Sequence, residues 1–159
     1  MPIINVGYHL GVVVSDLRAA MDELSELLGS DWGPIVPSGH QSGPGDPADT
    51  APRMTISRQG PPYIELLQRT PGTVWDTLGL HHIGYWAADA RAESERMAAQ
   101  GFPLEASAVV LHGDTEPGVY YHRTADGLRL ELVEFGRGGP PLAQYLGLPS
   151  DFEMPTDAA

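Results

Sequence analysis

Two stretches of the chain carry the same pattern of apolar and polar positions. Tyr8-His9-Leu10-Gly11-Val12-Val13-Val14-Ser15-Asp16 and His81-His82-Ile83-Gly84-Tyr85-Trp86-Ala87-Ala88-Asp89 each read as an apolar, strand-like run closed by an acid that can cap a helix. The offset is 73 residues throughout, carrying His9 to His82, Gly11 to Gly84 and Asp16 to Asp89. Helical spacing follows both acids. Leu17, Met21, Leu24, Leu27 and Leu28 form a stripe of period 3.6, and Gly29 supplies its stop. Ala90 to Gln100 is an Ala-rich helix with Met97 and a weaker stripe, stopped by Gly101.

Each half closes on a strand with one grammar. Tyr63-Ile64-Glu65-Leu66-Leu67-Gln68 parallels Arg129-Leu130-Glu131-Leu132-Val133-Glu134 at an offset of 66. The first half therefore holds seven more residues between its histidine and its glutamate (73 less 66), and the Gly/Pro/Ser/Asp-rich stretch Gly33 to Pro52 accommodates them as a long surface loop. Gly118 to Thr124 reads as a strand, with Ala125-Asp126-Gly127 as the hairpin turn into the last strand. Met54 to Arg58 and the Gly60-Pro61-Pro62 turn fill those places in the first half. The order is strand, helix, two or three strands, then the same again. Consecutive strands late in each half predict an α+β fold, not a doubly wound parallel sheet. Two βαβββ modules result, at residues 1–70 and 81–136, with a linker at 71–80 and a Pro/Gly-rich tail at 137–159.

Composition narrows the chemistry. The 159 residues suffice for one compact domain with a substantial core. There is no cysteine, which excludes disulfides and thiolate zinc sites. Twenty-one acids face nine bases, all of them arginine, for a net charge of −12. That field repels nucleic acid and anionic membranes, which are recognised by clustered cations. Absence of lysine removes Schiff-base chemistry and an amine base. Carboxylates, histidines, tyrosines or a metal must do the work. No apolar run is long enough to span a bilayer, and no basic segment followed by an apolar one opens the chain, so a cytoplasmic protein is expected.

The repeat singles out His9, Glu65, His82 and Glu131. A carboxylate amid Leu, Ile and Val is costly to bury unless it is paired or holds a cation. One histidine alone reads as a hydrogen-bonded core residue, and one glutamate as an edge-strand position facing water. The symmetrical quartet instead points to one divalent metal ion. Two imidazole nitrogens and two carboxylate oxygens suit Zn, Fe, Ni, Co or Mn and leave one or two positions for water or substrate. Neighbours on a strand point to opposite faces, so His81 and His82 cannot both be ligands, and the repeat selects His82. By period two, Tyr63 shares the face of Glu65, Trp86 that of His82 and Arg129 that of Glu131. These three are candidates for lining a substrate pocket, or for ordinary wall packing. His122, Tyr120 and Tyr121 lie on the preceding strand with their facing open; His122 and Tyr121 join the substrate-binding candidates. His40 and His112 read as solvated loop residues, and Glu134 faces away from Glu131.

The paired H-φ-G-φ-φ openings, the two φ-E-L strands and the duplicated layout resemble the vicinal oxygen chelate superfamily, also called the glyoxalase, bleomycin-resistance and dioxygenase superfamily. The resemblance spans Val6 to Phe135. Gly79-Leu80-His81-His82-Ile83-Gly84-Tyr85-Trp86 and Leu130-Glu131-Leu132-Val133-Glu134 are most similar to its methylmalonyl-CoA epimerase and lactoylglutathione-lyase-like branch. The resemblance implies two modules forming a cupped mixed sheet around one site, with a metal on His9, Glu65, His82 and Glu131, and often a homodimer.

The mechanism so implied is removal of a proton next to a metal-bound carbonyl, by an isomerase, epimerase or lyase, with Glu65 or Glu131 as the base. A coenzyme A or glutathione substrate calls for basic side chains on the rim. The acidic, lysine-free chain points instead to a small neutral, apolar or aromatic molecule, near Tyr85, Trp86 and Trp75. Two other classes stay open. One is a metal-dependent dioxygenase, for which four ligands leave less room; the other is a non-catalytic protein that sequesters a hydrophobic compound. The Gly33 to Pro52 loop reads as a plain surface loop, a lid or a dimer contact.

Overall fold

The structure, a computed structural model, describes residues 3–37, 52–109 and 116–134. These form strands β1 (Ile3–Val14), β2 (Val36–Pro37), β3 (Arg53–Ile56), β4 (Tyr63–Gln68), β5 (Gly79–Ala87), β6 (Leu104–Ala108), β7 (Val119–Arg123) and β8 (Arg129–Glu134). Helix α1 (Leu17–Leu28) follows β1, and α2 (Ala90–Ala99) follows β5. One mixed sheet contains all eight strands in the order β2-β3-β4-β1-β5-β8-β7-β6, curled into a half-barrel. Strand β1 pairs in parallel with β4, and β5 with β8. The halves meet where β1 runs antiparallel to β5, with His9 opposite Gly84, Leu10 opposite Ile83 and Gly11 opposite His82. The 73-residue repeat thereby becomes a two-fold relation about the centre of the sheet.

The helix ends repeat as well. Asp16 and Asp89 accept hydrogen bonds from Ala19 N and Ala92 N, as N-cap side chains do. The last residue of each closing strand takes the first helical amide: Leu17 N donates to Gln68 Oε1 at 3.1 Å, and Ala90 N to Glu134 Oε2 at 2.7 Å. Glu134 thus faces away from Glu131, as expected, and locks α2 to β8. Gly29 ends α1 with φ +68°, a left-handed conformation that glycine adopts without a Cβ clash.

Alternation along the strands divides the core. On the helix-free face Tyr8, Val13, Ile56, Tyr63, Leu67, Trp75, Trp86, Tyr121 and Val133 pack together. On the other face Ala87, Tyr120 and Leu132 pack against Ala90 and Met97 of α2. The weak apolar stripe of α2 has a physical reason: its buried face includes Ser94, which bonds His122 on β7 instead of packing against carbon. The α1 stripe is shorter than its spacing predicts. Leu17 is buried, but Leu27 and Leu28 are 68% and 64% exposed.

The segment read as a Gly33 to Pro52 loop begins with structure. Val36 and Pro37 pair with Met54 and Arg53, and Trp32 bridges Ser57. Residues 38–51 of that segment, with His40, His112 and the 137–159 tail, lie outside the described residues. The last two residues of the expected 71–80 linker already belong to β5. Among the described residues no helix is long and apolar enough to cross a membrane.

Candidate metal centre

The central pair of strands brings His9 and His82 face to face, with their Nε2 atoms 2.7 Å apart. Glu131, on β8 beside β5, directs Oε2 to within 2.9 Å of His9 Nε2 and 3.6 Å of His82 Nε2. Glu65, on β4 beside β1, directs Oε2 to 3.2 Å from His82 Nε2 and 3.5 Å from His9 Nε2. All four residues are buried. His9, His82 and Glu131 form the tighter group, their donor atoms within 4.8 Å of one another, and Glu65 approaches both imidazoles beside it.

These donors aim at a common point more than at each other. Glu65 Oε2 and Glu131 Oε2 are buried without a well-formed hydrogen bond, although imidazole nitrogens lie only 2.9 to 3.6 Å away. Ligands about 2.0–2.2 Å from a divalent ion stand roughly 3 to 3.5 Å from one another, and the separations here, from 2.7 to 3.6 Å, bracket that spacing. Neutral imidazole and carboxylate donors fit a borderline divalent ion, so the residues present suit the metal that the repeat predicted.

Two glycines make the approach possible. A Cβ on Gly11 would stand 2.0 Å from Cε1 of His82, and a Cβ on Gly84 would stand 2.0 Å from Cε1 of His9. Each ring lies flat over the glycine of the opposite half, which gives the shared H-x-G spacing its physical meaning.

The electrostatics are those of two buried anions around an imidazole pair. Burial alone would lower the His9 pKa, but the Glu131 and Glu65 carboxylates more than reverse that and raise it to about 10. Burial likewise favours neutral carboxyl groups, yet His9 and His82 hold Glu65 and Glu131 below their usual range. The raised pKa of His9 favours a proton on its ring where a cation would otherwise balance the carboxylates. Burial, then the Glu131 and Glu65 charges, keeps the Tyr8 and Tyr121 phenols protonated.

Of the other candidates, Tyr121 lies closest to the quartet. Its hydroxyl donates to Glu131 Oε1 at 2.5 Å, which leaves Oε2 directed at the histidines. Tyr63 and Trp86 lie on the same face within the aromatic core, where Tyr8 stacks on Trp86 at 4.0 Å. Arg129 is committed elsewhere, donating to Glu105 Oε2 at 2.7 Å and reaching the His81 carbonyl at 3.4 Å. His122 is separated from the quartet. It points to the helix side of β7 and bonds Ser94 Oγ at 2.8 Å and the Phe102 carbonyl at 3.0 Å. Period two explains this, since Tyr121 and His122 are neighbours on one strand and only one can face the metal centre.

His81 departs from the same rule. Gly11 pairs with His82 while Val12 pairs with Leu80, so His81 is an extra residue bulged from β5. The bulge turns its ring beside His82, with their Nδ1 atoms 2.8 Å apart. Burial, then the neighbouring His82 and Arg129, lowers the His81 pKa to about 3 and keeps it neutral. Trp75, in the segment between the halves, stacks on His81 and meets Tyr121 edge-on.

The profile of the Glyoxalase/Bleomycin resistance protein/Dioxygenase superfamily matches residues 8–121. The chain belongs to that superfamily. Among curated proteins no significant match is found. Similar solved structures include methylmalonyl-CoA epimerase from Mycobacterium tuberculosis, with 21% identity and a TM-score of 0.57, covering 90% of this chain and 91% of that one. A variant of the Streptomyces coelicolor methylmalonyl-CoA epimerase in complex with 2-nitronate-propionyl-CoA gives 17% identity and a TM-score of 0.55, covering 81% and 96%. The hypothetical protein BH1468 from Bacillus halodurans gives 16% and 0.53, covering 79% and 91%. At these identities the likeness is one of fold.

Proposed function

We propose that this glyoxalase-superfamily chain is a metal-dependent enzyme that removes a proton next to the carbonyl of a small substrate, as an isomerase, epimerase or lyase. One observation carries the reading: His9, His82, Glu65 and Glu131 converge on a single buried point with two carboxylate oxygens left without a proper hydrogen bond. His9 and His82 would hold the ion, and Glu131 and Glu65 would complete the set. When bound, a divalent cation polarises the carbonyl oxygen and stabilises the negative charge that develops as the α-proton leaves.

The chain's own groups supply the proton transfer. Glu65 and Glu131 are the carboxylates at the converging point, and either would accept the proton from carbon when not holding the cation. Tyr121 makes the two inequivalent by holding one oxygen of Glu131. The aromatic face of Tyr8, Tyr63, Trp75 and Trp86 excludes water and favours an apolar or aromatic substrate. The net charge of −12 and the absence of lysine disfavour a polyanionic one. Exposed Leu27, Leu28, Leu78 and Leu80 support self-association as a homodimer, which sedimentation at micromolar concentration tests.

The test is metal analysis of the wild type, His9→Ala and His82→Ala, with exchange of substrate α-protons in D2O followed by NMR. A panel of small α-substituted ketones and thioesters includes methylmalonyl-CoA. Metal-dependent exchange abolished by chelator is expected, as is loss of metal in both variants. Full occupancy in both variants, or exchange indifferent to chelator, overturns the proposal. Exchange confined to the coenzyme A ester would correct the substrate class and leave the reaction standing. Oxygen uptake with catechols would place the chain among dioxygenases instead.

A further inference from the structure

The bulged histidine has a chemical consequence for its neighbour. His81 Nε2 lies 2.8 Å from the Val74 carbonyl oxygen, which can only accept, so that nitrogen carries the proton. Two ring nitrogens 2.8 Å apart need one donor and one acceptor, and with its proton held on Nε2 by Val74 the His81 ring accepts at Nδ1 from His82 Nδ1. His82 must donate there. A neutral His82 with its proton on Nδ1 has its lone pair on Nε2, the nitrogen that faces His9 Nε2 at 2.7 Å and Glu65 Oε2 at 3.2 Å.

We infer that His81 is a positioning residue: the Val74–His81–His82 hydrogen-bond chain fixes the tautomer and ring orientation of His82, so that its Nε2 is presented ready for a divalent cation. The inference rests on the metal reading above and assigns His81 a role the repeat does not predict. The first half has no counterpart. Tyr8 stands at the position equivalent to His81, 73 residues earlier, and meets His9 edge-on through its ring. His9 Nδ1 is buried with no hydrogen-bond partner among the described residues. The two histidines of a symmetrical site are therefore unequal: His82 is anchored from behind, and His9 is not. Trp75, stacked at 5.9 Å from His81, and the Arg129 contact to its carbonyl hold the anchor in place.

Long-range proton–nitrogen spectra of metal-free wild type are expected to show His82 protonated at Nδ1 and bare at Nε2. Titration with Co(II) alone is then compared across variants. His81→Leu removes the acceptor and is expected to weaken Co(II) binding by about 10- to 100-fold, the usual effect of losing a partner behind a ligand. His81→Asn, whose amide oxygen can stand where Nδ1 stood, is expected to stay within about threefold of wild type, a rescue that simple loss of packing would not give. A wild-type His82 carrying its proton on Nε2 overturns the inference, and so does wild-type affinity in the leucine variant. Should that variant fail to fold, the wild-type spectrum decides by itself. Failure of the wild type to bind Co(II) would sink the proposed function, whereas the tautomer would still be read from the metal-free spectrum.

Discussion

Gly11 is the floor on which the His82 imidazole rests: a Cβ there would stand 2.0 Å from Cε1 and 2.4 Å from both ring nitrogens. Neither the backbone of a central strand nor the ring itself can yield that distance without leaving the site. Gly11→Ala is therefore expected to displace His82, and Gly84→Ala to displace His9. Each should cost about 1–3 kcal/mol of stability, as overpacking of a buried site does, and lower metal affinity by at least about tenfold. Thermal melts and isothermal titration with Zn(II) or Co(II) check both. Unchanged affinity in either variant would show that the rings do not act from these positions.

Tyr121 donates a hydrogen bond to Glu131 Oε1 from a phenol that burial keeps protonated. Tyr121→Phe keeps the ring and removes that donor. Glu131 is then free to swing or to chelate through both oxygens. The expected outcome is a fall in turnover of about tenfold or more with the metal retained, and a loss of about 1–2 kcal/mol on denaturant unfolding. A variant that loses metal and turnover together would make Tyr121 a support of the metal site only.

Metal uptake should depend on pH with a definite sign. His9, raised to about 10, carries a proton at neutral pH that a cation must displace. Apparent affinity should therefore rise with pH below that value, by up to about tenfold per unit. About one proton should be released per ion bound near pH 7.5, read by calorimetry in buffers of different ionisation enthalpy. The metal-free protein follows the same linkage. The folded His9 pKa lies above its unfolded value of 6.5, so its stabilising contribution is complete below that value and is lost as pH rises through about 10. His81 acts oppositely: its folded pKa of about 3 lies below 6.5, so stability falls as pH drops from 6.5 toward 3.

The duplicated architecture was legible in the sequence because the strands that carry it are short and strongly patterned. β4 and β8 begin and end where their apolar runs do, and the caps Asp16 and Asp89 stand where the helices start. The quartet was legible because symmetry doubled a signal that one histidine or one glutamate lacks. The glycines were visible as part of the H-x-G pattern, but their contact with the opposite histidine depends on the register of β1 against β5, which no local propensity sets. The facing of His81 is hidden from the sequence for the same reason. A one-residue bulge reverses the facing that period two predicts, and nothing in the order Leu80-His81-His82 announces it. Trp75 over His81 depends on the path of an irregular segment and was only a weak compositional hint.

His122 offers the sharpest contrast between structural and chemical histidines in this chain. It is as deeply buried as His82, but both its nitrogens are used, one by the Phe102 carbonyl and one by the Ser94 hydroxyl. The carbonyl must accept, which puts the His122 proton on Nδ1 and makes Nε2 the acceptor for the Ser94 hydroxyl. This pair ties α2 to β7 across a core otherwise built from Ala90, Met97 and Leu132. His122→Leu would leave Ser94 buried without its partner and the Phe102 carbonyl without its donor, at a cost of about 1–3 kcal/mol. Ser94→Ala should cost less, because it leaves one buried group, His122 Nε2, without its partner where His122→Leu leaves two. Neither change touches the donors at the metal centre, so Co(II) affinity should stay within about threefold of wild type, well short of the 10- to 100-fold expected when a partner behind a ligand is lost. Calorimetric titration beside denaturant melts separates the two effects. A large loss of metal affinity in Ser94→Ala would show instead that α2 transmits its position through the sheet to His82.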